Sequence, residues 1–146
     1  MSIEENKAVV RRYFEGDHDG RDNTELWNEL CQPDMTLHAS VFPEPVRGLE
    51  PLKQMTRAMH GAMSPFAIDI QDMVAEDDRV AVRYTMRGTH TGDFPLPDGS
   101  VLPASGQSFS VTGASFVRLR DGKLTEERTE LDWGGMMAQI GAAPQG

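Results

Sequence analysis

The chain has 146 residues, 38% of them hydrophobic, which suits one domain with its own core. Its formal charge of −9, with 14 scattered basic residues, argues against nucleic acid and anionic membranes as partners, since both demand concentrated Lys and Arg. No apolar run approaches the about 20 residues of a membrane span, and Met1-Ser2-Ile3-Glu4-Glu5 is unlike a cationic, apolar-cored signal peptide, so a cytoplasmic location is expected.

Ser2, with Glu5 three places on, predicts a capped helix from Ile3 to about Phe14, its apolar side formed by Val9, Val10, Tyr13 and Phe14. Gly16 to Asn23 is turn-rich. Thr24 then caps a short helix with Leu26, Trp27 and Leu30 inward, ending before Pro33. Cys31, the one cysteine, excludes an internal disulfide and a cysteine-based zinc cluster, and reads as a core thiol near that helix end. Met35 to Val41 is a predicted strand, in which Met35, Leu37 and Ala39 alternate with Thr36, His38 and Ser40.

After Gly48 a helix runs to about Met63. Met55, Met59 and Met63 recur every four residues along it, either as an adaptable pocket lining or as plain core. Strands follow at Phe66 to Val74, from Val80 to about Met86, at Phe109 to Leu119 and at Lys123 to Leu131, with hairpin turns at Asp77-Asp78 and Asp121-Gly122. Thr91 to Gly106, rich in proline and glycine, is too irregular for a strand interior and too apolar for a linker, and reads as a lid or an intersubunit arm. Asp132 is the N-cap of a closing helix whose face is Trp133, Met136, Met137 and Ile140. Helices with one early strand, then an antiparallel meander, then a last helix describe a single α+β domain, with a curved sheet wrapped around the helices and an apolar pocket between them.

Along the last strand Leu124, Glu126, Arg128 and Glu130 alternate with Thr125, Glu127, Thr129 and Leu131, so Glu127 and Thr129 share a face. Glu127 is therefore a candidate acid/base, or a residue turned to solvent or an arginine. His38 has an intrinsic pKa suited to proton transfer, but alternation leaves open which face of its strand is buried. Asp132 is a candidate that an N-cap role would explain equally well. Tyr84 shares the apolar face of Val80, Val82 and Met86 and has a hydroxyl for a ligand oxygen or for a core partner. Trp27, Phe14, Met59 and Trp133 are candidate cavity walls or plain core, which the sequence does not separate. His90 sits among glycines and threonines at a strand end, which favours a structural hydrogen-bonding role there. His18 and His60 read as exposed, and the four histidines show no metal-ligand spacing. Arg83 and Arg87 face away from Tyr84, toward a dimer surface or a salt-bridge ladder.

The stretches PDMTLHAS (33–40), RGLEPLKQM (47–55), VAEDDRVAVRYTMRGTHTGDF (74–94) and FVRLRDGKLTEERTELDWGGMMAQIG (116–141) together resemble the SnoaL-like polyketide cyclases, a branch of the nuclear transport factor 2-like superfamily. The resemblance implies a cone-shaped α+β fold, a homodimer, no metal or organic cofactor, and a cavity for an apolar or polycyclic carbonyl compound. It also implies intramolecular aldol chemistry by a carboxyl group acting as both base and acid. Aligned on the DGK turn and the terminal QIG, Thr129 stands at the family's catalytic aspartate, Asp132 at a second aspartate and Ser115 at an assisting histidine. With that acid replaced, the expected activity is a cofactor-free cyclisation or isomerisation using Glu127, His38 and Asp132, with Thr129, Ser115, Tyr84 and His90 toward the ligand. The alternatives are a binding protein without catalysis and an epoxide hydrolase-like enzyme.

Overall fold

The computed structural model describes residues 2–16, 25–96 and 98–141. The Gly16–Asn23 turn beyond Gly16, His18 and the Thr24 cap lie outside the described residues.

Helix α1 (Ile3–Glu15) begins with the capping box read from Ser2 and Glu5, each side chain meeting the other residue's backbone N–H. Its apolar stripe of Val10, Tyr13 and Phe14 is buried against the sheet. Helix α2 (Leu26–Leu30) is one turn that buries Trp27 and Leu30 and runs directly into strand β1 (Cys31–Ala39). Cys31 is thus the first strand residue. After the short β2 (Val46–Arg47), Gly48, at φ 94°, takes a left-handed conformation that few other residues accept and starts α3 (Leu49–Ala62).

Strands β3 (Met63–Glu76), β4 (Arg79–His90), β7 (Ser108–Arg120) and β8 (Lys123–Leu131) form the predicted antiparallel meander. Both predicted turns are present. Asp77 (φ 54°), Asp121 (φ 53°) and Gly122 (φ 77°) take the positive φ that such hairpins need and that Asp and Gly tolerate. The six-stranded order is β2-β1-β8-β7-β4-β3, and β1 pairs with β8 in parallel. Sequence alternation does not reveal that pairing, because it depends on how the chain returns across the helices.

Four register shifts bend the sheet, two of them between β3 and β4, at Met63/Phe66 and Ile70/Asp72, and two in the strands that carry the site. Of these last two, one lies in β1 between Cys31 and Thr36, around Pro33, and the second lies between β7 and β8 at Arg118/Leu119. The second corrects the simple alternation of the last strand. Leu124, read as sharing the Glu126 face, is fully buried, and on the other set Glu127 is buried while Thr129 and Leu131 are half-buried. The extra residue changes phase between them, so the concave face receives Leu124, Glu127, Thr129 and Leu131.

Between β4 and β7 the irregular segment contains a two-stranded hairpin, β5 (Phe94–Pro95) with β6 (Val101–Leu102). Helix α4 (Trp133–Gln139) closes the fold on β7, buries Met136, and is followed by the buried Ile140. Helices α1 and α3 and the hairpin cover the concave face, where each fully buried aliphatic side chain contributes about 1.5–3 kcal/mol. No described helix is long and apolar enough to cross a membrane.

Candidate functional site

The concave face of the sheet and its helical cover enclose a cavity of about 480 Å³. Its walls are almost wholly apolar, with Phe14, Trp27, Met59 and Trp133 among them. Of the methionine ladder, Met55 and Met59 line the cavity while Met63 is buried at the start of β3. The hairpin contributes Phe94, Pro95 and Leu96, so the segment read as a lid or arm supplies part of the wall.

One corner is polar. Glu127, 5% exposed, reaches the cavity from β8. Its Oε1 accepts a 2.9 Å hydrogen bond from the Tyr13 hydroxyl, and its Oε2 accepts one of 2.8 Å from the Ser115 hydroxyl. Charge-assisted bonds of this kind are what permit a carboxylate to be buried. Ser115, on the neighbouring β7 and directly opposite Thr129, lies 3.1 Å from the Thr129 hydroxyl and 3.3 Å from that of Tyr84. Tyr84 and Thr129 are themselves 2.9 Å apart. Gly113 makes this possible: a Cβ there would stand 2.9 Å from both Tyr84 Cε2 and Leu131 Cδ1, closer than side-chain contacts allow. Burial, and then the Glu127 charge, pushes the Tyr84 hydroxyl above the usual tyrosine range, so it keeps its proton at neutral pH.

Aromatic rings wall this corner. Tyr13 lies 5.0 Å from Trp27 and 5.1 Å, edge-on, from Phe14, and Phe14 lies 5.4 Å from Tyr84, centroid to centroid. The indole Nε1 of Trp133 is buried with no hydrogen-bond partner among the described residues.

The structure thus brings together Glu127, Thr129, Ser115 and Tyr84. Two expected acid/base residues lie elsewhere. On β1 it is Leu37 and Ala39 that line the cavity, so His38, half-buried, projects from the opposite face beside Arg128. Asp132 is exposed, and its Oδ1 accepts from the Gly135 N–H at 2.8 Å as the N-cap of α4. His90 has the structural hydrogen-bonding role read for its strand end rather than a place on the cavity wall. It is fully buried but does not line the cavity; its Nδ1 accepts from the Ser105 N–H at 3.2 Å and lies 3.1 Å from the Ser105 hydroxyl. The main-chain donor assigns the ring proton to Nε2, and His90 fastens the base of the hairpin. His60, read as exposed, is half-buried with its ring 5.4 Å from Phe66. Arg83 and Arg87 are exposed on the convex face, and Arg87 Nε pairs with Asp69 Oδ2 at 2.8 Å.

Tyr13 was absent from the expected site. Its signal was a phenol on the buried stripe of an amphipathic helix, a polar tip needing a partner that helix periodicity does not name. Lys53, 2% exposed, was missed likewise. Its Nζ donates to Asn28 Oδ1 at 2.5 Å and lies 3.7 Å from Glu50 Oε2, which ties α3 to α2. Cys31 is buried, and its thiol is pushed up to about 12 by that burial first and the Glu127 charge second.

A candidate SnoaL-like polyketide cyclase from Jannaschia sp. CCS1 superposes with a TM-score of 0.85 at 24% identity, covering 99% of this chain and 97% of that one. IdmH from Streptomyces antibioticus, described as a candidate polyketide cyclase, is 26% identical with a TM-score of 0.76, covering 93% and 98%. A Catenulispora acidiphila protein with a ketosteroid isomerase-like fold, in complex with trimethylamine, is 17% identical with a TM-score of 0.75 and covers 93% of each chain. The expected α+β architecture is therefore that of this chain. No curated protein matches. The family model of SnoaL-like polyketide cyclases matches residues 8–140, and the chain belongs to that family.

Proposed function

We propose that this protein is a cofactor-free acid/base enzyme that cyclises or isomerises an apolar carbonyl-containing small molecule, with Glu127 as the proton-transferring group. The observation that carries this reading is the buried Glu127 carboxylate at a polar corner of a cavity whose lining, among the described residues, is largely apolar. In that setting water competes poorly, and a general base contributes on the order of 10²–10⁴ in rate. Glu127 takes a proton from the carbon beside the ligand carbonyl, while the Tyr84 and Thr129 hydroxyls, both lining the cavity, hold the oxygen on which charge develops. Glu127 stands two residues, one pleat, from the position of the family's aspartate, so the carboxylate approaches the ligand from deeper in the same face. The apolar walls favour a polycyclic or similarly apolar body.

The replacement of the family's acid by Thr129 supports a second reading, ligand binding without turnover. One experiment separates the two. Deuterium uptake from D2O into a panel of polycyclic ketones is followed by mass spectrometry, with binding measured in parallel. The enzyme reading expects accelerated uptake that falls on the order of 10²-fold or more in Glu127→Gln while binding persists. Binding with no uptake would select the binder, and uptake unchanged in Glu127→Gln would remove Glu127 from its role.

We also propose that the active form is a homodimer joined through the convex sheet face. Phe116 (63% exposed) and Val74 (61%) stand there in one cross-strand row with Ala81 and Arg128. Exposed large apolar residues in a row are a common mark of a protein interface.

A further inference from the structure

We infer that Ser115 is a positioning residue that links Glu127 to the Tyr84–Thr129 pair as a reversible hydroxyl relay, so that the cavity's oxygen site accepts or donates a proton according to the state of Glu127. The inference rests on the acid/base reading above and specifies how the proton returns to the ligand.

Proton counting carries it. Ser115 has one hydroxyl proton, and an ionised carboxylate can only accept. With Glu127 ionised, that proton must point at Oε2, 2.8 Å away, and Ser115 Oγ is left to accept from Tyr84 at 3.3 Å, because toward Thr129, 3.1 Å away, Ser115 stands as the donor. Tyr84 and Thr129 are 2.9 Å apart, so with the Tyr84 proton on Ser115 it is Thr129 that donates to Tyr84, and both their protons run inward toward the carboxylate. The ligand then meets lone pairs. With Glu127 protonated on Oε2 the direction reverses. The carboxyl donates to Ser115, Ser115 donates to Thr129 or Tyr84, and a hydroxyl proton turns out toward the cavity. Tyr13 holds Oε1 in either state, so the carboxyl group need not rotate.

For an enolisable ketone the step balances within the site. The C–H bond breaks, its proton joins Glu127 Oε2, and its electron pair becomes the C=C bond while the carbonyl π pair moves to oxygen. That oxygen takes the Tyr84 proton; Tyr84 regains one from Ser115, directly or through Thr129, and Ser115 takes the one on Glu127. The ketone leaves as its enol and the protein is unchanged. Ser115 is fully buried, so no bulk water enters the chain at its middle link. The relay also explains the chemistry of the family's missing acid: Thr129 presents a hydroxyl whose proton is governed by a carboxylate it does not touch.

The test reads Glu127 itself, with no ligand. The side-chain carboxyl carbon of ¹³C-labelled Glu127, assigned by its loss in Glu127→Gln, is titrated by NMR in Thr129→Val, Thr129→Ser and Ser115→Ala, and in Thr129→Val combined with Ser115→Ala. Through a relay, Thr129→Val moves the Glu127 midpoint upward by about half a pH unit, roughly threefold in proton affinity. Thr129→Ser, which keeps the hydroxyl, restores it, and in the Ser115→Ala background Thr129→Val has no effect. A midpoint unmoved by Thr129→Val, or moved equally with and without Ser115, overturns the relay. Should Ser115→Ala not fold, Ser115→Cys, with its weak thiol donor, takes its place and the shift should shrink correspondingly. Failure of this titration beside an inactive Glu127→Gln removes the relay alone, whereas a relay that passes beside an unaffected Glu127→Gln removes the acid/base reading alone.

Discussion

Tyr13 on the first helix donates its phenolic proton to Glu127 on the last strand, across 2.9 Å and 114 residues of sequence. That single bond closes the polar corner of the cavity against α1 and makes the position of the helix a condition of the site. Removing it should have two separable effects. Tyr13→Phe keeps the ring contacts with Phe14 and Trp27 and deletes a charge-assisted donor, so a loss of about 1.5–3 kcal/mol in urea-unfolding stability is expected. The carboxylate, with one donor fewer, should also become a stronger base, shifting the acid limb of any pH–rate profile upward. A variant as stable as the wild type, with an unmoved profile, would show that the bond contributes nothing.

Gly113 tests whether Tyr84 must lie where it does. An added Cβ at Gly113 would stand 2.9 Å from the Tyr84 ring and from Leu131, both walls of the cavity. Gly113→Ala should cost about 1–3 kcal/mol through overpacking and weaken binding of ketone probes by displacing the hydroxyl. Thermal denaturation and a binding isotherm together check this; unchanged binding in a destabilised variant would mean that Tyr84 does not contact the ligand.

Alkaline stability follows from two groups. The Cys31 thiol is raised from an ordinary 9.0 to about 12, and Tyr84 is raised above its ordinary 10.0. Above pH 9 the unfolded chain releases the cysteine proton while the folded chain keeps it, so the unfolded state binds fewer protons and stability falls as pH rises, toward the folded value near 12. The slope from one such group is at most about 1.4 kcal/mol per pH unit. Cys31→Ala should flatten the decline between pH 9 and 10 in chemical-denaturation series, and native Cys31 should resist thiol reagents at pH 8 until the protein unfolds. Rapid native labelling would contradict its burial.

The proposed dimer is tested at Phe116. Phe116→Lys places a charge in the row with Val74 and Ala81, beside Arg128, and should convert a dimer to a monomer in sedimentation velocity with little loss of fold, since the residue is already exposed in the isolated chain. A wild-type monomer at micromolar concentration would refute the proposal outright.

Much of the fold was legible because its signals are local. The Ser2–Glu5 capping box, the Asp77-Asp78 and Asp121-Gly122 turns and the alternation of β4 each depend on residues within a few positions of one another. Thr91 to Gly106 resisted reading because its short strands are stabilised by each other and by the buried His90, fifteen residues from its partner Ser105, rather than by any repeating pattern.

The site divided along the same line. Strand periodicity by itself placed Glu127 and Thr129 on one face and Tyr84 on the apolar side of its strand, because side chains alternate with a period of two whatever surrounds them. Which face turned inward was a different matter. For β1 it was the packing of Leu37 and Ala39 beneath α3 that turned His38 outward; for β8 it was a bulge that put Leu124 and Glu127 on the same side; and for Glu127 it was the arrival of Tyr13 and Ser115 from other elements that made a buried carboxylate tenable. Local chemistry determined what each residue is able to do. Only the tertiary structure decided which of them meet, since burial and hydrogen-bond partnership are properties of neighbours brought together across the whole chain.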